Sequence, residues 1–340
     1  MRIKSLYLYP IKSLRGISID EALATRLGFP HDRSFMLLKV ISGVDGAADS
    51  TKTMHVPHFP EMSLFITSLE ATGDGTTEIV VDYRPPGKSS KQLRVPLEPD
   101  VSELGSLHVR MWNTSTPAYN MGETFNSWFG ECFGFPVIFA YIGDNSRDVL
   151  MKTSNPDAPK SWLSRVTSAV GITGEPVEKL TFQDCASYLV VSDTSVQNVS
   201  QRLPDGVVMD ETKFRPNIVI EGAPEPFEED FWGEITVSGD SSTTSAATAV
   251  VRLPQNCVRC KSLNIDYGTG KMGTGEEGQV LKKLQKDRRV DGSKKYSPVF
   301  GRYGYLERNS GGIIKVGDEV SVTLRNQTRT GMDWPMAEFT

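Results

Sequence analysis

The chain has 340 residues, enough for about two domains and a large buried core. Hydrophobic residues make up 38% and charged residues 23%, which argues against wholesale disorder and against a coiled coil. The net charge of -5 gives no basis for non-specific nucleic-acid binding or a polybasic membrane anchor. Four cysteines in a chain this long do not make a disulfide framework, which fits a reducing compartment. The start, Met1 to Tyr9, is strand-like and lacks the apolar run of a signal peptide or membrane span. A cytoplasmic protein without a membrane span is expected, and the Asn-x-Ser/Thr triplets at Asn113, Asn198 and Asn326 are read as chance.

In chain order, short β-rich runs come first: Ile3 to Tyr9, Ser34 to Val40, Glu78 to Tyr83, Leu107 to Trp112 and Val137 to Tyr141, each bounded by turn residues. Among them Phe125, Trp128, Phe129, Cys132 and Phe133 recur at helical spacing, predicting an amphipathic helix on the first lobe's sheet, with Cys132 in its core. From Gly143 to Pro176 the chain is polar and broken by Pro and Gly, a connector between lobes. The second lobe resumes with a strand over 187–192, then a short helix capped by Ser192 or Asp193 with Val196, Val199 and Leu203 facing inward. Strands at 217–221, 234–238, 247–253, 261–266 and 319–324 have the spacing of a closed barrel, with a second helix over 279–285. The fold class expected is α+β, predominantly β. The divisions are a first lobe 1–145, a connector 146–176, a second lobe 177–326 and a tail 327–340, loosely attached unless Trp334-Pro335 docks on a groove.

Chemistry concentrates at Cys257-Val-Arg-Cys260. A thiolate between Arg259 and Lys261 is expected to have a lowered pKa, and the thiolate is the form that binds metal or attacks sulfur. The pattern also opens redox sites and supplies half of many zinc sites. Alternation of Leu263, Ile265 and Tyr267 points to a strand after the motif, not the helix a redox site requires. A closed zinc site needs two further ligands, and Cys132, Cys185, His31, His55, His58 and His108 are scattered, with only His55 and His58 paired. Gly268-Thr-Gly270-Lys-Met-Gly273 matches a dinucleotide fingerprint, but Glu276 and Glu277 would repel a phosphate and no second parallel strand follows. Anion contacts are instead available from Lys12, Ser13 and Arg15 after the first strand, from Asp32-Arg33, and from Phe214-Arg-Pro-Asn217, where Arg215 offers a guanidinium fork.

Taken in order, Tyr9-Pro-Ile-Lys-Ser13, Asp32-Arg33, Phe214-Arg-Pro-Asn217, Cys257-Val-Arg-Cys260, Asn264-Ile-Asp266 with Thr269-Gly270, Ser297-Pro-Val-Phe-Gly301 and Ile314-Lys-Val-Gly-Asp318 resemble the MOSC-domain family. The resemblance spans almost the whole chain and is closest to the branch of the mitochondrial amidoxime reducing component. It implies an N-terminal β-barrel-like domain followed by a MOSC β-barrel domain. It further implies a molybdenum cofactor, molybdenum on a molybdopterin, with Cys260 as metal ligand and catalytic residue and Cys257 not ligating. Lys12, Ser13, Arg33, Arg215, Asn217 and Arg259 would hold the cofactor's phosphate and pterin, and Asp184 and Ser187 match further positions near it.

Two departures stand out. Asn120-Met121-Gly122 replaces an acidic loop common among relatives, and Thr53-Met-His55 replaces Thr-x-Arg, so His55 is either a titratable contact that tunes substrate protonation or, the more common case, a solvated loop histidine. No anchor precedes Met1 and no iron–sulfur domain follows Asp318, so electrons are expected from a partner, a cytochrome b5 and its NADH-dependent reductase. The activity expected by resemblance is reduction of N-hydroxylated compounds, amidoximes and hydroxylamines. The alternatives are a sulfur-transfer or cofactor-carrier protein with a persulfide on Cys260, against which the lack of a pyridoxal-phosphate desulfurase domain argues for the complete sulfurase, and a structural module with inert thiols.

Overall fold

The computed structural model describes residues 1–43, 49–154, 177–239 and 248–335. Its largest element is a closed seven-stranded barrel. Arg2–Leu8 pairs antiparallel with Ile218–Glu221, which lies parallel to Tyr188–Ser192; the circuit continues through Val299–Leu306, Thr248–Val258, Trp232–Ser238 and Glu319–Arg325 and returns to Arg2–Leu8. Each strand sends alternate apolar residues inward, as period-2 geometry requires. Ile3, Leu6, Val190, Ile220, Trp232, Ile235, Val251 and Leu306 meet in one core. Full burial of side chains of this size is worth about 1.5–3 kcal/mol each. A second cluster covers the barrel, where the Asp193–Ser200 helix contributes the predicted Val196 and Val199 and Leu203 follows just beyond it. Ser192 occupies the N-cap position without capping the helix through its side chain.

The first strand is the surprise in this layout, because it was read with the first lobe and instead closes the barrel built by residues beyond 188. After Leu8 the chain turns across to the other lobe, where Ile11 bridges Phe35. That lobe has a five-stranded antiparallel sheet in the order Ser50–Thr53, Phe35–Ile41, Val137–Tyr141, Thr114–Asn120, Gly105–Met111, and a three-stranded one of Phe65–Ala71, Thr77–Tyr83 and Lys91–Pro96. Phe35, Phe65, Phe129 and Phe139 fill the space between them. The predicted helix is present as Glu123–Phe133, stopped by Gly134 at φ 77, the left-handed end that glycine adopts without penalty. Cys132 is half-buried against this core and burial pushes its thiol up to about 11.

One local expectation needs correction. Residues 261–266 are not one strand: Lys261–Asn264 is a 3-10 turn, and only Ile265–Asp266 is extended. Leu263 and Ile265 are both fully buried, but they reach separate clusters, so their alternation did not mark one sheet face. The expected 279–285 helix is present as Val280–Gln285, with a 3-10 turn, Glu276–Gln279, leading into it. A central barrel strand, Val299–Leu306, is not in the expected set, and its Gly301 and Gly304 interrupt the pattern by which a strand is recognised. In fact a side chain at Gly301 would strike Val191 and the Val190 carbonyl, and one at Gly304 would strike Val251. The tail through Pro335 is docked, with Met332 and Trp334 buried. The connector expected over 146–176 lies outside the described residues from 155 onward.

Candidate functional site

Residues 9–15, leaving the first strand and crossing between the lobes, form a seam onto which the second lobe's loops close. Lys12 is nearly buried and donates to the Phe182 carbonyl at 2.9 Å and to the Asp184 carboxylate. The same carboxylate oxygen accepts the Trp112 indole N–H at 3.0 Å, and the Trp112 ring lies 5.1 Å from His55. The surrounding protein partly desolvates the Asp184 carboxyl and would by itself raise it, although the side chain keeps 54% of its exposure. The charge of Lys12, His55 and the hydrogen bonds from Lys12 and Trp112 outweigh it and hold the group below the usual range. Burial and the neighbouring Lys12 cation bring His55 down to about 3. His55, read as a titratable contact or a solvated loop histidine, is therefore a neutral imidazole at physiological pH.

Beside this group Arg33 is held by Asp32, at 2.7 Å from Nη1 to Oδ1, and its Nη2 donates to the Arg215 carbonyl at 3.2 Å. Both guanidiniums lie over the Tyr9 ring, Arg33 at 4.1 Å and Arg215 at 4.6 Å from its centroid. Arg215 Nη1 donates to the Leu14 carbonyl at 2.7 Å, tying the second lobe's loop to the seam. Ser13, Arg33 and Arg215 all adopt left-handed backbone conformations, φ 69, 51 and 57. Such conformations cost non-glycine residues about 1–3 kcal/mol and concentrate where function requires them. Arg15 and Lys213 extend the positive surface, at 4.1 Å and 5.3 Å over Tyr267.

The two motif cysteines point in different directions. Cys257 ends the long barrel strand, is buried, and accepts a hydrogen bond from Arg259 Nη1 at 3.0 Å. Arg259 Nη2 donates to the Phe214 carbonyl at 2.7 Å, next to Arg215, so the guanidinium expected to flank Cys260 serves Cys257 instead. Cys260 begins the 3-10 turn and is exposed, with Sγ 3.2 Å from Ser262 Oγ. Lys12, Arg33, Asp184, Arg215 and Arg259 thus belong to one linked network, and Ser13 stands next to it in the chain after Lys12. Asn217 and Ser187 serve the framework: Asn217 accepts from Leu189 N–H and donates to the Tyr7 carbonyl, joining two barrel strands, and Ser187 donates to the Arg26 carbonyl at 2.8 Å.

Sequence reasoning missed Tyr9, Trp112, Lys213 and Tyr267 as site residues. Tyr9 stood inside a quoted motif, and its aromatic body beside two arginines was the available signal. The glycine motif forms a hairpin turn, with Asp266 accepting Gly268 N–H and Thr269 Oγ, and Gly273 packed against Gly278 backbone. Among the described residues no three His, Cys, Asp or Glu side chains converge as metal ligands, and no helix is long and apolar enough to cross a membrane.

A family profile described as the MOSC domain matches residues 177–321, and one described as the MOSC N-terminal beta barrel domain matches residues 1–136. Mitochondrial amidoxime-reducing component 1 of Homo sapiens is 25% identical over 328 residues, covering 94% of this chain and 82% of that protein. The Mus musculus protein of the same name is 27% identical over 327 residues, covering 94% and 81%. Molybdenum cofactor sulfurase of Arabidopsis thaliana is 26% identical over 331 residues, covering 94% of this chain but 35% of the sulfurase.

Proposed function

The chain belongs to the MOSC-domain family, and on that premise we propose that it is a molybdenum-cofactor-dependent oxidoreductase acting on N-hydroxylated compounds, with electrons from a separate donor such as a cytochrome b5. The observation that carries this reading is the split between the motif cysteines: Cys260 offers an exposed sulfur at the edge of a cation-rich seam, while Cys257 is buried and engaged by Arg259. A soft thiolate suits a redox-active metal.

The residues present fit the cofactor's anionic part. Arg215 and Arg259 have no carboxylate partner among the described residues, and their donors go to carbonyls and a thiol. Tyr9 Oη and Arg259 Nε are buried without a hydrogen-bond partner. Uncompensated cations and unpaired polar atoms at one place are costly unless an anion meets them. Lys12, Arg33, Arg215 and Arg259 would face the phosphate and pterin, the guanidiniums binding phosphate through paired N–H groups. When bound, the cofactor supplies the two-electron chemistry that cleaves the N–O bond, with two protons completing the amine or amidine and water. Asp184 stays ionised and His55 neutral across physiological pH, so these two side chains orient and hydrogen-bond rather than donate those protons.

A second reading, sulfur transfer through a Cys260 persulfide, is favoured by the same exposed sulfur and by the sulfurase relatives. Metal analysis of protein purified from a host that makes the cofactor separates them. Near-stoichiometric molybdenum that vanishes in Cys260→Ala and largely persists in Cys257→Ala supports the enzyme. No molybdenum in the wild type even after reconstitution, with a persulfide on Cys260 detected by mass, supports sulfur carriage. Loss in Cys257→Ala alone means the ligand is misassigned.

A further inference from the structure

After the last barrel strand, Glu319–Arg325, residues 326–335 run across the barrel and onto the other lobe as a strap. Its contacts follow one another along the chain. Arg329 Nε donates to Asp230 at 2.7 Å, and Thr330 takes Asn256 on its carbonyl and Arg302 on its hydroxyl, the latter at 2.6 Å. Met332 N–H donates to Asp291 at 2.8 Å, and Asp333 exchanges hydrogen bonds with Gln255. The strap ends on a turn of the first lobe: Trp334 Nε1 donates to the Trp112 carbonyl at 3.2 Å, and Asn113 Nδ2 donates to the Pro335 carbonyl at 2.7 Å.

That turn matters because Trp112 is the residue whose indole N–H reaches Asp184 and whose ring lies against His55. Trp112 and Asn113 are the two central residues of the hairpin joining Gly105–Met111 to Thr114–Asn120, and both hold the left-handed conformations, φ 52 and 65, that a two-residue hairpin turn requires; Asn113 suits that position and the bulky Trp112 does not. Trp334 and Met332 also pack in one cluster with Cys185 and Ala186, the two residues after Asp184, and with Tyr305. Arg147, fully buried, donates to the Gln183 and Asp184 carbonyls, with its guanidinium 6.0 Å from the Trp334 ring. The strap therefore supports Asp184 from below and Trp112 from the side.

We propose that the 326–335 strap is a positioning element of the site, fixing through Trp334 and Pro335 the Trp112–Asn113 turn that holds Asp184 and covers His55. Its effect on cofactor retention rests on the function proposed above. Its effect on Trp112 does not, which makes His55 a reporter independent of the cofactor. His55 is faced by the Trp112 ring and by Lys12, Asp184, His58 and Lys52, and burial is the main reason it stays neutral.

The test follows the His55 ring signals by NMR against pH in cofactor-free full-length protein, together with molybdenum content of protein from a cofactor-making host. Wild-type His55 is expected to show no midpoint between about pH 5 and 8. In Trp334→Ala the midpoint should rise toward the free-histidine value of about 6.5, and cofactor retention should fall about tenfold, the scale seen when a supporting partner is lost. Trp334→Phe, which keeps the apolar fill but loses the indole donor, should lie between. Ile235→Ala, a cavity in the barrel core, should destabilise the fold yet leave His55 untitrated. Should Trp334→Ala fail to fold, Asn113→Gly keeps the left-handed turn, removes the bond to Pro335, and should also raise the midpoint. An unmoved His55 in the strap variants, or an equal shift in Ile235→Ala, overturns the proposal. A shifted His55 in protein whose wild type never takes up molybdenum leaves the strap standing and removes the proposed function.

Discussion

Around the turn at Glu228–Phe231, Asp230 is fully buried and receives Arg288 at 2.7 Å and 2.9 Å and Arg329 at 2.7 Å. At the seam, Arg215 and Arg259 find carbonyls, a thiol and aromatic rings, and three residues keep left-handed backbones. Both regions bury arginine. The first matches its arginines with a carboxylate; at the seam Arg33 has Asp32, but Arg215 and Arg259 have no carboxylate partner among the described residues, and on the proposed function the difference separates charge that completes a fold from charge that waits for a ligand.

The sharpest way to break this comparison is Asp230→Ala. Two arginines would lose their carboxylate, and urea unfolding should show a loss of about 3–5 kcal/mol; because Arg329 belongs to the strap, molybdenum per folded molecule should fall, but by less than in Trp334→Ala. A fall in molybdenum as large as that of Trp334→Ala would erase the distinction between the two regions.

Next in size is a pH effect with opposite signs in the two places. Burial raises the Glu229 carboxyl from its ordinary value to about 7, against the hydrogen bond from Ser195. The folded state therefore binds a proton that the unfolded state has released. This contribution is full below the unfolded value and disappears as pH rises through about 7, a decline of about 3 kcal/mol for this one group. Asp184 runs the other way: its carboxyl is held down, so its stabilisation is present at neutral pH and fades as pH falls through the folded value. Urea melts of wild type and Glu229→Gln from pH 5 to 8 should show the alkaline decline flattened in the variant. Parallel curves would mean that Glu229 is already ionised in the native protein.

The smallest effect is the most discriminating. Arg215→Gly removes a side chain from a left-handed position and should raise stability by about 1 kcal/mol, since relief of strain exceeds the entropy that glycine adds to the unfolded chain. Molybdenum retention should fall at the same time. A destabilised variant would place Arg215 with the structural arginines and erase the contrast.

Much of the architecture was legible because strands and helices carry their own periodicity. Alternation in Leu6 and Leu8, in Ile218 and Ile220 and in Ile235 and Val237, and the i, i+3, i+4 spacing of Phe125, Trp128 and Phe129, follow from backbone geometry, which neighbouring residues dictate. Val299–Leu306 escaped because its glycines are there for close approach of other strands, a reason invisible in the local sequence. Part of the candidate site was legible as residue types: Lys12, Arg33, Arg215, Arg259 and Cys260 stand in short motifs marked by charge and sulfur chemistry, whereas Asp184 was marked by the family resemblance alone.

By itself, then, the sequence determined most of the extended segments, the apolar face of the Glu123–Phe133 helix, and the residue types available for the proposed chemistry. The tertiary structure alone decided that the first strand closes the second barrel, that Arg259 turns to Cys257, that His55 is neutral, and that Trp334 meets Trp112. Apart from Arg259 and Cys257, which are near neighbours, these depend on partners far apart in the chain, 172 residues for Lys12 and Asp184 and 222 for Trp112 and Trp334. Burial and electrostatic environment are properties of what surrounds a group in space, and local spacing encodes only the face a residue presents, not what it meets there.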